Sequence, residues 1–186
     1  MTTAFVSAML VTAGTVIVLW WSRRALLHPG SHGFYRFFAW EAILALIVIN
    51  RQVWGNDPFA LPQMISWLLM IISIALVVIG VRTLRRDGHT NPARNDATLY
   101  AWEQTDRLVT TGVYSYIRHP MYASLLALTW GAFMQQPSWW CAPIAGVGSI
   151  FLQLTALSDE RECRAWFGEQ YSAYMNRTRR FIPYIY

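Results

Sequence analysis

Apolar and polar residues come in long blocks along this chain rather than in the alternation of a soluble strand or helix. A membrane-spanning helix needs about 20 mostly apolar residues. Residues 4–21, 37–53 and 61–81 come close to that length and each predicts a span. The third is the strongest, because no charged residue interrupts it. Residues 121–134 and 139–157 predict two more, joined by the tight link Gln135-Gln136-Pro137-Ser138. The first arm of that pair is short, so it is expected to span poorly or to form part of a tight hairpin. The pattern predicts an all-α integral membrane protein of about five transmembrane helices, with 1–186 as a single domain.

Composition agrees. Hydrophobic residues make up 55% and charged residues 13%, well below the roughly 25% charged of ordinary soluble domains. All 15 basic residues are arginine and the net charge is +5. That charge does not point to nucleic acid, since the arginines lie in the polar segments between apolar runs, where a membrane surface accounts for them. With five spans, every arginine but Arg51 falls on one face. The positive-inside rule then places the N-terminus outside and the C-terminus in the cytoplasm. Trp20, Trp21, Trp54, Trp67, Trp139 and Trp140 gather near span ends, as in an aromatic belt. The first apolar run has no basic residues before it and Arg23 and Arg24 after it, which suits a retained helix rather than a signal peptide. Cys141 and Cys163 form no CxxC pair, and neither a disulfide framework nor a cysteine metal site is expected. His28, His32 and His89 show no ligand spacing, so no metal is expected.

Two polar segments, 82–119 and 158–186, are too long for mere connectors, and long loops in compact proteins are usually functional. The second reads as a polar cytoplasmic helix and a tail. The first ends in Leu108-Val109-Thr110-Thr111-Gly112-Val113-Tyr114-Ser115-Tyr116-Ile117-Arg118-His119-Pro120-Met121-Tyr122. Pro120 suits the first position of a helix, where its missing N–H costs nothing. Arg118 and His119 then sit at a helix N-terminus, whose free N–H groups already favour anions. Gly112 lets a ligand approach the backbone, and Tyr114, Tyr116 and Tyr122 offer rings and hydroxyls. The plainer alternative is that Arg118 and His119 are interfacial anchors. In the second segment, Asp159 and Glu160 could hold an ammonium or sulfonium group. The competing reading is a solvated helix with ion pairs such as Glu160 with Arg164. Glu41 and Asn50 are polar residues inside the second span, and Glu41 is expected near the interface.

The 108–122 segment resembles the L-V-T-x-G-x-Y-x-x-x-R-H-P-x-Y signature of the isoprenylcysteine carboxyl methyltransferase family, and related phospholipid methyltransferases carry looser versions. The tail resembles that family's E-E-x-x-L-x-x-x-F-G-x-E-Y-x-x-Y ending followed by R-x-I-P. Asp159 replaces the first Glu, Cys163 stands at the Leu position, and Gln170 lies between Glu169 and Tyr171, so the Glu–Tyr spacing is kept approximately. The likeness covers about 82–183.

The resemblance implies a helical membrane fold binding S-adenosylmethionine in a pocket at the cytoplasmic face, with S-adenosylhomocysteine as product. It implies no Rossmann domain, and no GxGxxG follows a predicted strand. It makes 82–186 the methyltransferase half. Carried over by position, Thr111, Gly112, Val113 and Tyr114, with Tyr116, His119 and Tyr122, would line the cofactor pocket. Glu160 would meet the cofactor's amino group. Arg118 and Arg180 would hold the cofactor or substrate carboxylate, which makes Arg118, Glu160 and Arg180 the expected catalytic set. The implied acceptor is the carboxylate of an isoprenylated cysteine or a similar amphiphilic acid drawn from the bilayer. Two alternatives stay open: a lipid amine N-methyltransferase, and a small membrane transporter or scaffold. A transporter should show mid-span polar residues and repeat symmetry, whereas here the polar density lies at one face and no repeat is visible.

Overall fold

The computed structural model describes residues 3–89 and 105–185. Six α-helices follow one another: α1 Thr3–Leu26, α2 His32–Asn50, α3 Leu61–Asp87, α4 Pro120–Met134, α5 Cys141–Phe167 and α6 Glu169–Arg177. A short 3-10 turn, Gly112–Ser115, precedes α4. Among the described residues there is no strand; Ile117 and Arg179 form an isolated parallel bridge. The all-α membrane architecture expected from the blocks of apolar sequence is the one observed.

The helices run past the apolar stretches that announce them. α1 carries Arg23 and Arg24 in its last turn, and α3 carries Arg85 and Arg86. Arginine is a good helix former, and cations are favoured at a helix C-terminus. Arg94 lies outside the described residues. α5 likewise continues through the polar residues after Leu157, so only its first part is apolar. Gly168, with φ of 58°, breaks that helix and α6 starts at once.

Four helices, α1, α2, α3 and α5, are long and apolar enough to cross a membrane. α4 is the exception, with 15 residues. At 1.5 Å per residue that is about 22 Å, short of the roughly 30 Å of a hydrocarbon core. A helix ending inside a bilayer leaves carbonyls with no water to receive them. Neighbouring helices supply the partners. Ser66 Oγ of α3 donates to the Gly131 carbonyl at 2.6 Å, and Asn50 Nδ2 of α2 donates to the Ala132 carbonyl at 2.8 Å. Gln135, just past the helix, donates to Ser66 Oγ at 2.8 Å. All three side chains are buried.

α4 packs against α3 and α5, α2 against α5, and α1 mainly against α2. Leu46, Ala132, Phe133, Cys141 and Ala145 form one buried cluster at the far end of α4. Ile117, Tyr122, Ala123, Ala156 and Phe181 form another at its beginning. Only Ser22 and Ala25 of α1 are buried. Its exposed Val16, Ile17 and Trp20, like Leu68, Ile71 and Ile74 of α3, face what a bilayer would cover.

The capping of α4 makes a stability prediction. Asn50→Ala and Ser66→Ala should each lower stability by about 1 kcal/mol, the usual worth of a hydrogen bond whose partner is left buried. Unfolding in detergent measures this, and a double variant as stable as the parent would show that the carbonyls need no partner.

Candidate functional site

The site is assembled where α4 begins. Pro120 opens α4, and the preceding His119 has φ of −124° and ψ of 63°, so the chain turns sharply into the helix. Gly112 adopts φ of 58°, a left-handed conformation that glycine takes without steric cost. A Cβ there would also approach Thr83 Oγ1 to 3.2 Å, so glycine lets the 112–115 turn lie on α3. Thr111 Oγ1 donates to the Asp87 carboxylate, which also takes two hydrogen bonds from Arg86.

The C-terminal tail runs beside this segment. Arg118 N donates to the Arg179 carbonyl at 2.7 Å, His119 N to the Arg180 carbonyl at 3.2 Å, and Arg179 N to the Tyr116 carbonyl at 3.0 Å. Phe181 is buried against Ile117, Tyr122 and Ala123. These backbone bonds set the register that carries Arg180 to Glu160. Arg180 reaches that carboxylate with two parallel bonds, Nε to Oε1 at 3.1 Å and Nη2 to Oε2 at 3.0 Å. Arg118 reaches it from the other side, Nε to Oε1 at 3.0 Å, and also donates to the Met175 and Thr178 carbonyls. Glu160 is 1% exposed. One buried carboxylate therefore joins two guanidiniums, from α5, the α4 entry and the tail.

His119 stands between Glu160 and Asp159. Its Nε2 is 3.4 Å from Glu160 Oε1 and its Nδ1 is 3.4 Å from Asp159 Oδ2. Its ring stacks on Tyr122, with centroids 5.3 Å apart. Burial alone would lower its pKa, but the hydrogen bonds with Asp159 and Glu160 outweigh that and raise it above the ordinary 6.5.

An open cavity lies on the Asp159 side. Tyr114, Tyr122, Phe167, Tyr171 and Tyr174 give it aromatic walls, and Leu84, Leu108, Val109 and Met121 apolar ones. Its polar edge is Asp159, His119, Arg118 and Cys163. Burial raises the pKa of the Tyr171 and Tyr174 phenols, so both keep their protons at neutral pH. Tyr174 uses its proton to donate to the Tyr114 carbonyl at 2.7 Å, which fixes the 112–115 turn against α6. An aromatic cavity with a carboxylate at its edge can hold a cation, by Coulomb attraction and by the faces of the rings.

Of the residues expected from sequence, Tyr114, Arg118, His119 and Tyr122 line this cavity. Glu160 and Arg180 are joined to it through His119 but are not among its lining residues. Thr111 lines an adjoining groove with Asp87 and Arg86. Gly112 sits on α3, and Val113 packs into the cluster around Ile117. Tyr116 points away, half-exposed, with its ring 6.3 Å from that of Tyr184. Sequence reasoning offered Asp159, with Glu160, as a carboxylate for an ammonium or sulfonium group, but gave no site role to Cys163, Phe167, Tyr171 or Tyr174. A signal existed: Asp159, Cys163 and Phe167 recur every fourth residue and so share one face of α5.

A second feature was not foreseen. Glu162 accepts from the amide of His32 at 2.9 Å and also bonds its imidazole Nδ1. Ser158 Oγ donates to the Gly30 carbonyl at 2.6 Å. These bonds clamp the α1–α2 connection onto the polar end of α5. His32, Asp159 and Glu162 each place a ligand-type atom within 4.8 Å of the others. His32 is thus gathered with carboxylates by the fold although no spacing in the sequence marks it.

Comparison with known proteins places these residues among relatives. The family model described as Phospholipid methyltransferase matches residues 62–169. Protein-S-isoprenylcysteine O-methyltransferase of Homo sapiens is 28% identical over 130 residues, covering 66% of this chain and 44% of that protein. The chain thus spans less than half the length of the curated relative it matches. No solved structure matches it.

Two outcomes follow from the charge cluster. Glu160→Gln leaves two guanidiniums without their counter-charge, and should cost on the order of 3 kcal/mol with no ligand present, as breaking a buried pair does. Unfolding in detergent reads the loss, and an unchanged midpoint would mean the pair contributes nothing. For His119 the folded pKa is raised above 6.5. Its contribution is therefore complete below that value and fades as pH rises through the folded pKa. Stability should fall as pH is raised from 6.5 through the folded pKa, and His119→Gln should flatten that fall.

Proposed function

The chain belongs to the phospholipid methyltransferase family, and on that premise we propose that it transfers a methyl group from S-adenosylmethionine to a lipid-like acceptor at a membrane. One observation carries the reading: the cavity at the α4 entry combines aromatic walls with the Asp159 carboxylate. That donor set fits a sulfonium cofactor, whose cationic group suits the rings and whose ammonium suits a carboxylate. When bound, the cofactor supplies a methyl already activated by the sulfonium charge.

The residues then have positioning to do more than proton chemistry. Asp159 and the tyrosine faces hold the cation. The 112–115 turn, fixed by Tyr174, brings Tyr114 to the cavity wall. The apolar side, Leu84, Leu108 and Met121, admits the body of an amphiphile and keeps water from the acceptor. We assign the site to residues 82–186 and place it, with the C-terminus, on the cytoplasmic side, and the N-terminus outside. A cysteine introduced at Asn176 should then react from the cytoplasmic side and one at Asn56 from the outside. Labelling of both from one side would overturn the topology.

The acceptor we propose is the carboxylate of an isoprenylated cysteine or a related amphiphilic acid, in keeping with the relative whose name states that activity. A carboxylate is ionised at neutral pH and needs no base, only a cation to orient it. Arg118, on the cavity edge, is the residue for that role, and Arg180 supports it through their shared Glu160. One observation favours a second reading, a lipid amine: Glu160 already engages both guanidiniums, while the cavity edge offers the Asp159 carboxylate, which suits a cationic headgroup.

Calorimetry in detergent should show binding of S-adenosylmethionine and of its demethylated product, weakened by about 1–3 kcal/mol in Asp159→Asn, the range for a charged hydrogen bond. A folded sample that binds neither compound sinks the proposal. The acceptor is decided by rate against pH. An acid gives a rate nearly level from about pH 7 to 9, whereas an amine gives one that climbs as the neutral form appears. A best substrate with the climbing profile would replace the carboxylate reading with the amine.

A further inference from the structure

The last residues of the tail are apolar, exposed and held at a defined depth. Tyr184 is 81% exposed and Ile185 is 77% exposed, and Ile182 is exposed as well. The tail is tied down just before them. Phe181 is buried with Tyr122 and Ala123, in the first turn of α4, and Leu76, Leu125 and Leu126 pack on the same cluster. Those residues lie in the apolar part of α3, one to two turns before Arg82, and in the first two turns of α4. The chain leaving Phe181 therefore emerges at the level where spanning helices meet the headgroups, not above it. Tyr184 lies beside the exposed ring of Tyr116. Arg177 and Arg179, just upstream, are exposed.

We propose that Ile182, Tyr184 and Ile185 insert into the headgroup region of the membrane face that carries the site, with Arg177 and Arg179 paired to anionic lipid phosphates. Tyrosine rings favour that zone, and nearby cations are drawn to an anionic surface. The occupant is lipid rather than a protein partner because the patch combines small apolar area, aromatic hydroxyls and arginines at headgroup depth. Docking of this segment bears on the cavity. The same strand of tail, through its backbone bonds to residues 116–119, carries Arg180 to Glu160. Anionic lipid then holds the Arg118–Glu160–Arg180 cluster closed from outside the protein. The inference rests on the depth of Phe181 and not on any reading of the reaction.

The test is a spin label at Ile185→Cys, on a Cys163→Ser background so that only buried Cys141 remains, in vesicles of phosphatidylcholine with and without phosphatidylglycerol. A label at Asn176→Cys, on the exposed side of α6, is the aqueous control. The label at 185 should collide more with oxygen than with a water-soluble nickel chelate, the reverse of 176. Phosphatidylglycerol should increase the difference, and Arg177→Gln with Arg179→Gln should abolish that increase. A label at 185 as open to the chelate as one at 176 in both lipids would overturn the proposal. So would immersion that ignores lipid charge. Immersion in a protein that binds no methyl donor would leave the anchor standing and remove only the functional reading.

Discussion

Glu160 is the point on which the rest of the site depends. A carboxylate this deeply buried is tolerated only with charge and hydrogen bonds around it. Arg118, Arg180 and His119 supply them. Arg118 and His119 come from the entry to α4 and Arg180 from the tail, so satisfying one side chain of α5 fixes these three parts of the chain relative to one another. The cavity is a consequence: its polar edge includes Asp159, the neighbour of Glu160, and the same His119 that touches both. Arginine suits the arrangement because its planar fork meets a carboxylate with two parallel bonds.

The membrane imposes the second constraint. The helices that cross it need only apolar surface, and α1, α2, α3 and α5 have it. α4 must instead bring Pro120 and Tyr122 to the site and stop early, and its last carbonyls are satisfied by Asn50 and Ser66. Asn50 of α2 and Ser66 of α3 are explained by what α4 lacks.

Much of this was legible in the sequence, for reasons that differ by residue. The helices announce themselves by length and hydropathy, and Pro120 marks the start of α4 by its missing N–H. Arg118, His119, Tyr114 and Tyr122 were legible because they are close together in the chain and the cavity is built around that one segment. Glu160 and Arg180 were visible as charges, but not as partners. Their pairing depends on the Ile117–Arg179 bridge, a contact between distant segments that no periodicity encodes. The same holds for His32, joined to Glu162 across 130 residues. Asn50 stood out as a polar residue in a span, yet its role belongs to the end of another helix. Asp159 stood beside Glu160 with no local signal to say which would face the cavity; the helical turn between them decides it.

The shortness of α4 has a consequence for the surrounding lipid. No residue of α4 is fully exposed, and its cut-off end is received by α2 and α3, so the bundle rather than the bilayer absorbs the missing length. Acyl chains then have no reason to thin beside the short helix. The site can rest on a half-length helix while α1 and α3, whose apolar faces are exposed, keep the length of a full span.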